Sequence, residues 1–276
     1  MKIARVFPRR NNATPIDDMA FIGSPDLFSR SYEIDKVHIS VAFTWELKEA
    51  ERLYNEWKEI APTEIGGPAL GLPGGDFIPG MYLREGYVIT SRGCPNRCWF
   101  CSVWKREGDT IRELPITDGY NLLDDNLLSC SEDHIRGVFA MLARQKEKPI
   151  LSGGLEAKKL QKWYVDELLK LKPKEMFFAY DTPGDRDPLF EAGKMLLENG
   201  FNRQSQSLRC YVLTGYPGDT FEAAEKRLNE TMKAGFMPFA MVYRDQTGKR
   251  EEGWIKFWPW MRPAAMSKKY REAGNL

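Results

Sequence analysis

The chain has 276 residues, with 40 Lys+Arg against 39 Asp+Glu and a formal net charge of +1. That length supports one large domain, or one with a small appendage, and the balanced charge gives no indication of a nucleic-acid partner. Met1 to Val6 lacks the apolar run of a signal peptide and no stretch reaches membrane-spanning length, so a cytoplasmic protein without membrane association is expected. Five cysteines, three of them clustered, suit a reducing compartment in which thiolates bind metal.

In chain order, Asp35 to Val41 has a strand pattern, Trp45 to Ile60 an amphipathic helix pattern, and Glu64-Ile65-Gly66-Gly67-Pro68 follows. His38 falls inside the strand pattern, where a histidine is more often packed or at the surface than a ligand. A short apolar strand is expected over Gly86 to Ser91. After it, apolar runs alternate with helical patterns, the writing of a parallel α/β domain. The second strand is Tyr120 to Leu123, followed by a helix capped by Ser131 with Ile135, Val138, Phe139 and Leu142 on one face. A third strand, Pro149 to Ser152, ends at Gly153-Gly154, and its helix is expected from about Leu155, with Leu160, Tyr164, Leu168 and Leu171 as the stripe. The fourth strand is Glu175 to Tyr180, with a helix over Pro188 to Glu198. The fifth is Leu208 to Thr214, with a helix carrying Phe221, Ala224, Leu228 and Met232; the sixth is Met237 to Tyr243. Between Cys101 and Tyr120 there is little helical periodicity, so the first crossover is expected to be short. Six such units fit an open, incomplete (β/α) barrel better than a closed eight-fold one.

The chemistry lies in Cys94, Cys98 and Cys101, spaced Cys-x3-Cys-x2-Cys directly after the first strand. Three thiolates on one loop can hold three irons of a cubic cluster and leave the fourth iron open. The alternative is a structural zinc site, which needs four ligands; two histidines (His38, His134) and two further cysteines (Cys130, Cys210) are the other Cys and His residues, with no second Cys-x2-Cys pair.

The triad, with Phe100 immediately before its last cysteine, resembles the signature of the radical S-adenosylmethionine (SAM) superfamily, and the resemblance extends over about residues 86 to 245. It implies an α/β fold, a partial (β/α)6 TIM-like barrel over residues 86–250 with a small N-terminal α/β appendage (1–85) and an aromatic, basic tail (251–276) packed on the barrel. It also implies one [4Fe-4S] cluster on Cys94, Cys98 and Cys101, SAM chelated by the open iron and cleaved to a 5'-deoxyadenosyl radical, an electron donor such as flavodoxin or ferredoxin, and an unidentified substrate. Phe100 would place its backbone near the adenine. Leu123-Asp124-Asp125-Asn126 resembles the Asp-Asp-Asn form found in the branch with cobalamin-binding members; Asp124 and Asp125 would take the SAM ammonium. Gly153-Gly154-Leu155-Glu156 competes by letter for that role, but follows the third strand. Asp181 and Thr182 would face the ribose and carboxylate, although a turn explains the same letters. Gly215, Gly218 and Asp219, in Gly-Tyr-Pro-Gly-Asp-Thr, resemble a segment that lets backbone approach the adenine, with Asp219-Thr220 capping the next helix.

Residues 1–85 resemble the later half of a cobalamin-binding domain without its Asp-x-His-x-x-Gly cobalt-ligand motif, and read as a reduced, cobalamin-free remnant. Too few cysteines remain for a second cluster, which removes methylthiotransferases. A catalytically inactive iron-sulfur or zinc module on the same scaffold, and a cobalamin-dependent methyltransferase, are the alternatives. Substrate-side candidates are Arg209, Tyr211, Tyr243, Arg244 and Asp245. Cys210 reads first as a core residue and second as a hydrogen donor. The tail from Trp254 to Arg262 reads first as packing and second as a stacking surface for a base or aromatic substrate.

Overall fold

The computed structural model describes residues 1–27 and 29–254. It divides into two compact units, Met1–Gly119 and Tyr120 onward, so the cysteine loop belongs to the first unit. Both units are α/β with parallel strands, and among the described residues no helix is long and apolar enough to cross a membrane.

The first unit opens with β1 (Ile3–Phe7), β2 (Ala20–Ile22), β3 (Lys36–Ser40), helix α1 (Leu47–Trp57) and β4 (Thr63–Gly66). The four strands form a parallel sheet in the order β2-β1-β3-β4. Alternation along the strands sends Ala4, Val6, Val37 and Ile39 to one face, where they pack with Ala50, Leu53 and Trp57 of α1 as the unit's core. Trp57 is fully buried, tilts against Phe21 at 5.0 Å, and donates its indole N–H to the Gly23 carbonyl. Neither β1 nor β2 stands out in the sequence. Arg5 interrupts β1, and its charge is met by Asp17 and by the carbonyls of Gly80 and Met81, partners far away in the chain. The expected strand over residues 86–91 is two short pieces, β5 (Tyr87–Val88) and β6 (Ser91–Arg92). Then come α2 (Val103–Glu107), a single five-residue helix that is the short crossover expected, and β7 (Arg112–Glu113), antiparallel to β6.

The second unit places β8 (Asn121–Leu122), β9 (Ile150–Leu151), β10 (Glu175–Ala179), β11 (Leu208–Thr214) and β12 (Met237–Val242) side by side in chain order, all parallel. The intervening helices are α3 (Glu132–Ala143), α4 (Lys162–Leu171), α5 (Arg186–Glu198) and α6 (Phe221–Lys233). Ser131 caps α3, accepting from the His134 N–H as expected, and Ile135, Val138, Phe139 and Leu142 are buried. The second helix of this unit begins later than its sequence suggests. Residues 155–161 are a loop with one 3-10 turn, because the Leu155 N–H donates to the Phe177 carbonyl and keeps the chain extended beside β10; Leu160 is buried from that loop and not from a helix.

Candidate functional site

The cysteine loop is tied at its base. The β6–β7 ribbon pairs Ser91 with Glu113 and Arg92 with Arg112, and the Cys94 N–H donates to the Gly108 carbonyl at 3.2 Å. Gly93 has φ 88°, and a side chain there would place Cβ 2.3 Å from the Thr110 carbonyl oxygen, so only glycine lets the two strands cross at that point. Within the loop, the Cys101 N–H donates to the Cys98 carbonyl (3.1 Å), the Trp104 indole N–H donates to the same carbonyl (2.9 Å), and Cys101 Sγ accepts from the Val103 N–H (3.4 Å). Arg97 and Asp109 form an ion pair across the loop. Trp99 packs edge-to-face on Phe100, with ring centroids 5.4 Å apart, so the Phe100 side chain is engaged within the loop.

Cys94, Cys98 and Cys101 are partly exposed thiols, and the backbone donor to Cys101 Sγ suits a thiolate. Among the described residues no group of three His, Cys, Asp or Glu side chains is placed to hold a metal ion. The donor set has the chemistry for a thiolate-ligated cluster.

In the second unit, the two segments that the resemblance offers for the SAM amino group lie together. β8 and β9 are neighbours, with Leu122 opposite Leu151, and both the Ser152 and Gly153 N–H groups donate to the Leu122 carbonyl. A Cβ on Gly153 would lie 2.1 Å from the Asp124 carbonyl oxygen. Asn126 donates to Glu156 Oε2 at 2.7 Å, and Lys158 pairs with Glu156 at 2.8 Å. Asp124 is buried and Asp125 half-buried. Counting strands separates these segments, whereas parallel adjacency joins them; Glu156 is the residue that the count set aside.

The later strand ends are more heavily committed to structure. Thr182 and Asp185 form a reciprocal capping box, the Thr182 N–H and hydroxyl both donating to Asp185 Oδ2. Asp181 Oδ1 accepts from the Leu213 N–H at 3.0 Å, and burial pushes its carboxyl up to about 7. Asp219 Oδ2 accepts from the Gly215 N–H (2.8 Å) and from Arg227 (2.7 Å), an ion pair with both side chains nearly out of solvent. Thr220 caps α6 by accepting from the Ala223 N–H. Arg227, which no motif singles out, also donates to the Leu213 carbonyl. Gly218 takes the turn at φ 84° with open space around it, but the approach that Gly215 allows is used by Trp254: a Cβ on Gly215 would fall 2.8 Å from the indole, which also packs on Phe221.

Cys210 is fully buried in β11, where burial pushes its thiol up, as befits a core residue. Tyr211 stacks on Phe177 at 4.4 Å and Arg209 pairs with Glu175 at 3.0 Å. Asp245 closes a turn by accepting from the Thr247 and Lys249 N–H groups. Of the aromatic tail, Trp254 is buried; the assignments made beyond it, to residues 255–276, lie outside the described residues.

No protein-family model matches the chain, and no curated protein is significantly similar to it.

Proposed function

We propose that the chain is a radical SAM enzyme with one [4Fe-4S] cluster on Cys94, Cys98 and Cys101, acting by hydrogen abstraction on an organic substrate. The observation that carries this reading is the Cys-x3-Cys-x2-Cys triad on a single loop, each thiol partly exposed. When bound, the cluster supplies the electron that cleaves SAM to a 5'-deoxyadenosyl radical. The five parallel strands in chain order are read as part of an incomplete (β/α)6 barrel, whose strand ends carry the remaining roles. By the resemblance, Asp124 and Asp125 take the SAM ammonium. The bond from Asn126 to Glu156 ties the two competing segments to each other and supports reading them as one binding element. Phe100 and the Gly218 turn remain assigned to the adenine side. Asp181, Thr182, Gly215 and Asp219 are assigned to holding the strand ends that face the cofactor, since their polar groups and close approaches are engaged within the protein. The electron comes from a small redox protein of the flavodoxin or ferredoxin class.

Anaerobic reconstitution tests the reading. The expected result is about four irons per chain and 5'-deoxyadenosine formed only with reductant and SAM. Stoichiometric zinc in protein that takes up no iron would overturn it. A cluster whose EPR signal ignores SAM would leave the inactive module in its place.

A further inference from the structure

The sheet of the first unit has its helix, α1, on one face. Its other face carries Arg5, His38 and Glu64 side by side across β1, β3 and β4. Parallel sheets ordinarily bury apolar residues on both faces, so a polar row here requires another explanation. The row is roofed by irregular chain after β4: Arg5 donates to the carbonyls of Gly80 (3.2 Å) and Met81 (3.3 Å), and the Tyr82 hydroxyl meets Nδ1 of His38. Beneath that roof, at the carboxyl ends of β1, β3 and β4, lies a cavity of about 480 Å³. Its size is that of a small-molecule site, and its position is where parallel α/β sheets take ligands.

One end of the cavity is built from the segment that brackets the cysteine loop. Arg92 stands two residues before Cys94, and Arg106 and Glu107 follow Cys101 on α2. The Glu107 carboxylate is almost wholly buried, accepts from the Gly74 N–H and from Arg106 Nε (2.9 Å), and lies 3.5 Å from Arg112 and 3.7 Å from Arg92. One carboxylate faces three guanidinium groups, so this end keeps a positive excess. Arg92 Nε is buried and has no acceptor among the described residues. The other carboxylates on the cavity do not offset that excess: Glu64 is 2.7 Å from Lys36 Nζ and 2.9 Å from His38 Nε2, and Asp76 is exposed. Leu72, Phe77 and Ile78 supply an apolar wall.

We propose that this cavity binds a small organic anion, a carboxylate or a phosphate monoester on an apolar body, with its head on Arg92 and Arg106 and its body on that wall. Paired guanidinium groups in a partly buried site favour such a head by charge-assisted, forked hydrogen bonds. The site is far too small for a corrinoid. Assigning the anion as the substrate rests on the radical SAM reading; its binding does not, because Arg92 and Arg106 are held by contacts with Glu107 and not by the cysteines.

The test is calorimetric titration of the iron-free full-length protein with 3-phenylpropionate, with phenyl phosphate, and with the neutral 3-phenylpropionamide. The expected result is that at least one anion binds and the amide binds about tenfold more weakly or not at all, the two anion arms telling carboxylate from phosphate. Arg92→Gln should weaken the anion by about tenfold, while Arg97→Gln, outside the cavity, should leave it unchanged. Should Arg92→Gln fold poorly by circular dichroism, Ile78→Trp, a substitution at an exposed rim position, should fill the cavity and abolish binding. Equal binding of anion and amide, no binding of either anion, or anion binding that survives Ile78→Trp overturns the assignment. Anion binding by a protein that forms no 5'-deoxyadenosine after reconstitution would keep the site and discard the radical reading.

Discussion

Asp181 holds its proton more tightly in the folded protein than in the unfolded chain, because burial raises its carboxyl from 3.8 to about 7 while the Leu213 N–H only partly opposes the rise. The stability it lends is therefore complete below about 3.8 and is lost as the pH rises through about 7. Asp181→Asn keeps an oxygen for the Leu213 N–H and removes the titration. Thermal melts across that window should show a smaller loss of stability with rising pH than wild type, with the mutant the more stable above neutrality. The Asp219–Arg227 pair behaves differently, since here opposite charges meet out of solvent. Asp219→Ala leaves Arg227 buried without its counter-charge and strips the Gly215 N–H of its acceptor, and urea melts should record a loss of about 3 kcal/mol. A truncation that costs nothing would mean that Arg227 finds water or another acceptor.

At the scale of elements, β8 and β9 are only two residues each, yet their pairing brings together the two acidic segments proposed to bind SAM. The backbone of Gly153 touches that of Asp124, so Gly153→Ala cannot be absorbed by a side-chain rotation. It should cost about 1–3 kcal/mol, read from denaturant melts, and on the proposed function it should also weaken SAM binding, read by titration. Strands 208–214 and 237–242 and helices α3, α5 and α6 are legible in the sequence because their signals are local: alternation or a helical stripe, a cap such as Ser131 or Thr220, and a stop such as Asn199-Gly200. The start of α4 is not, because the hydrogen bond that keeps residue 155 extended comes from Phe177 on another strand. β1 is hidden for the same reason: Arg5 reads as an interruption until Asp17, Gly80 and Met81 are brought to it by the fold. In the candidate site, the cysteines and the two acidic segments are visible as letters. Their adjacency, the engagement of Asp219 by Arg227, and the seat of Trp254 on Gly215 depend on pairing across the sheet and have no signature in any one window.

For the whole molecule, packing and the proposed redox chemistry are kept in separate places. The first unit's core is the sheet-and-α1 cluster from Ala4 to Ala69, and the second unit's buried residues lie along β8–β12 and their helices; Cys94, Cys98 and Cys101 belong to neither. The contacts that fix their loop include backbone groups, the side chains of Arg97, Trp104 and Glu107, and the N–H that Val103 donates to Cys101 Sγ. Because each of the three thiols is partly exposed, replacing all three cysteines with alanine should leave the unfolding free energy of the iron-free protein within about 1 kcal/mol of wild type. The same variant should lose all iron uptake on anaerobic reconstitution, and with it any SAM-dependent change in the spectrum. Iron retained at the wild-type ratio would place the metal elsewhere in the chain. A collapse of stability without iron would make the loop a structural element first, and the partly exposed thiols would then need a reason other than metal binding.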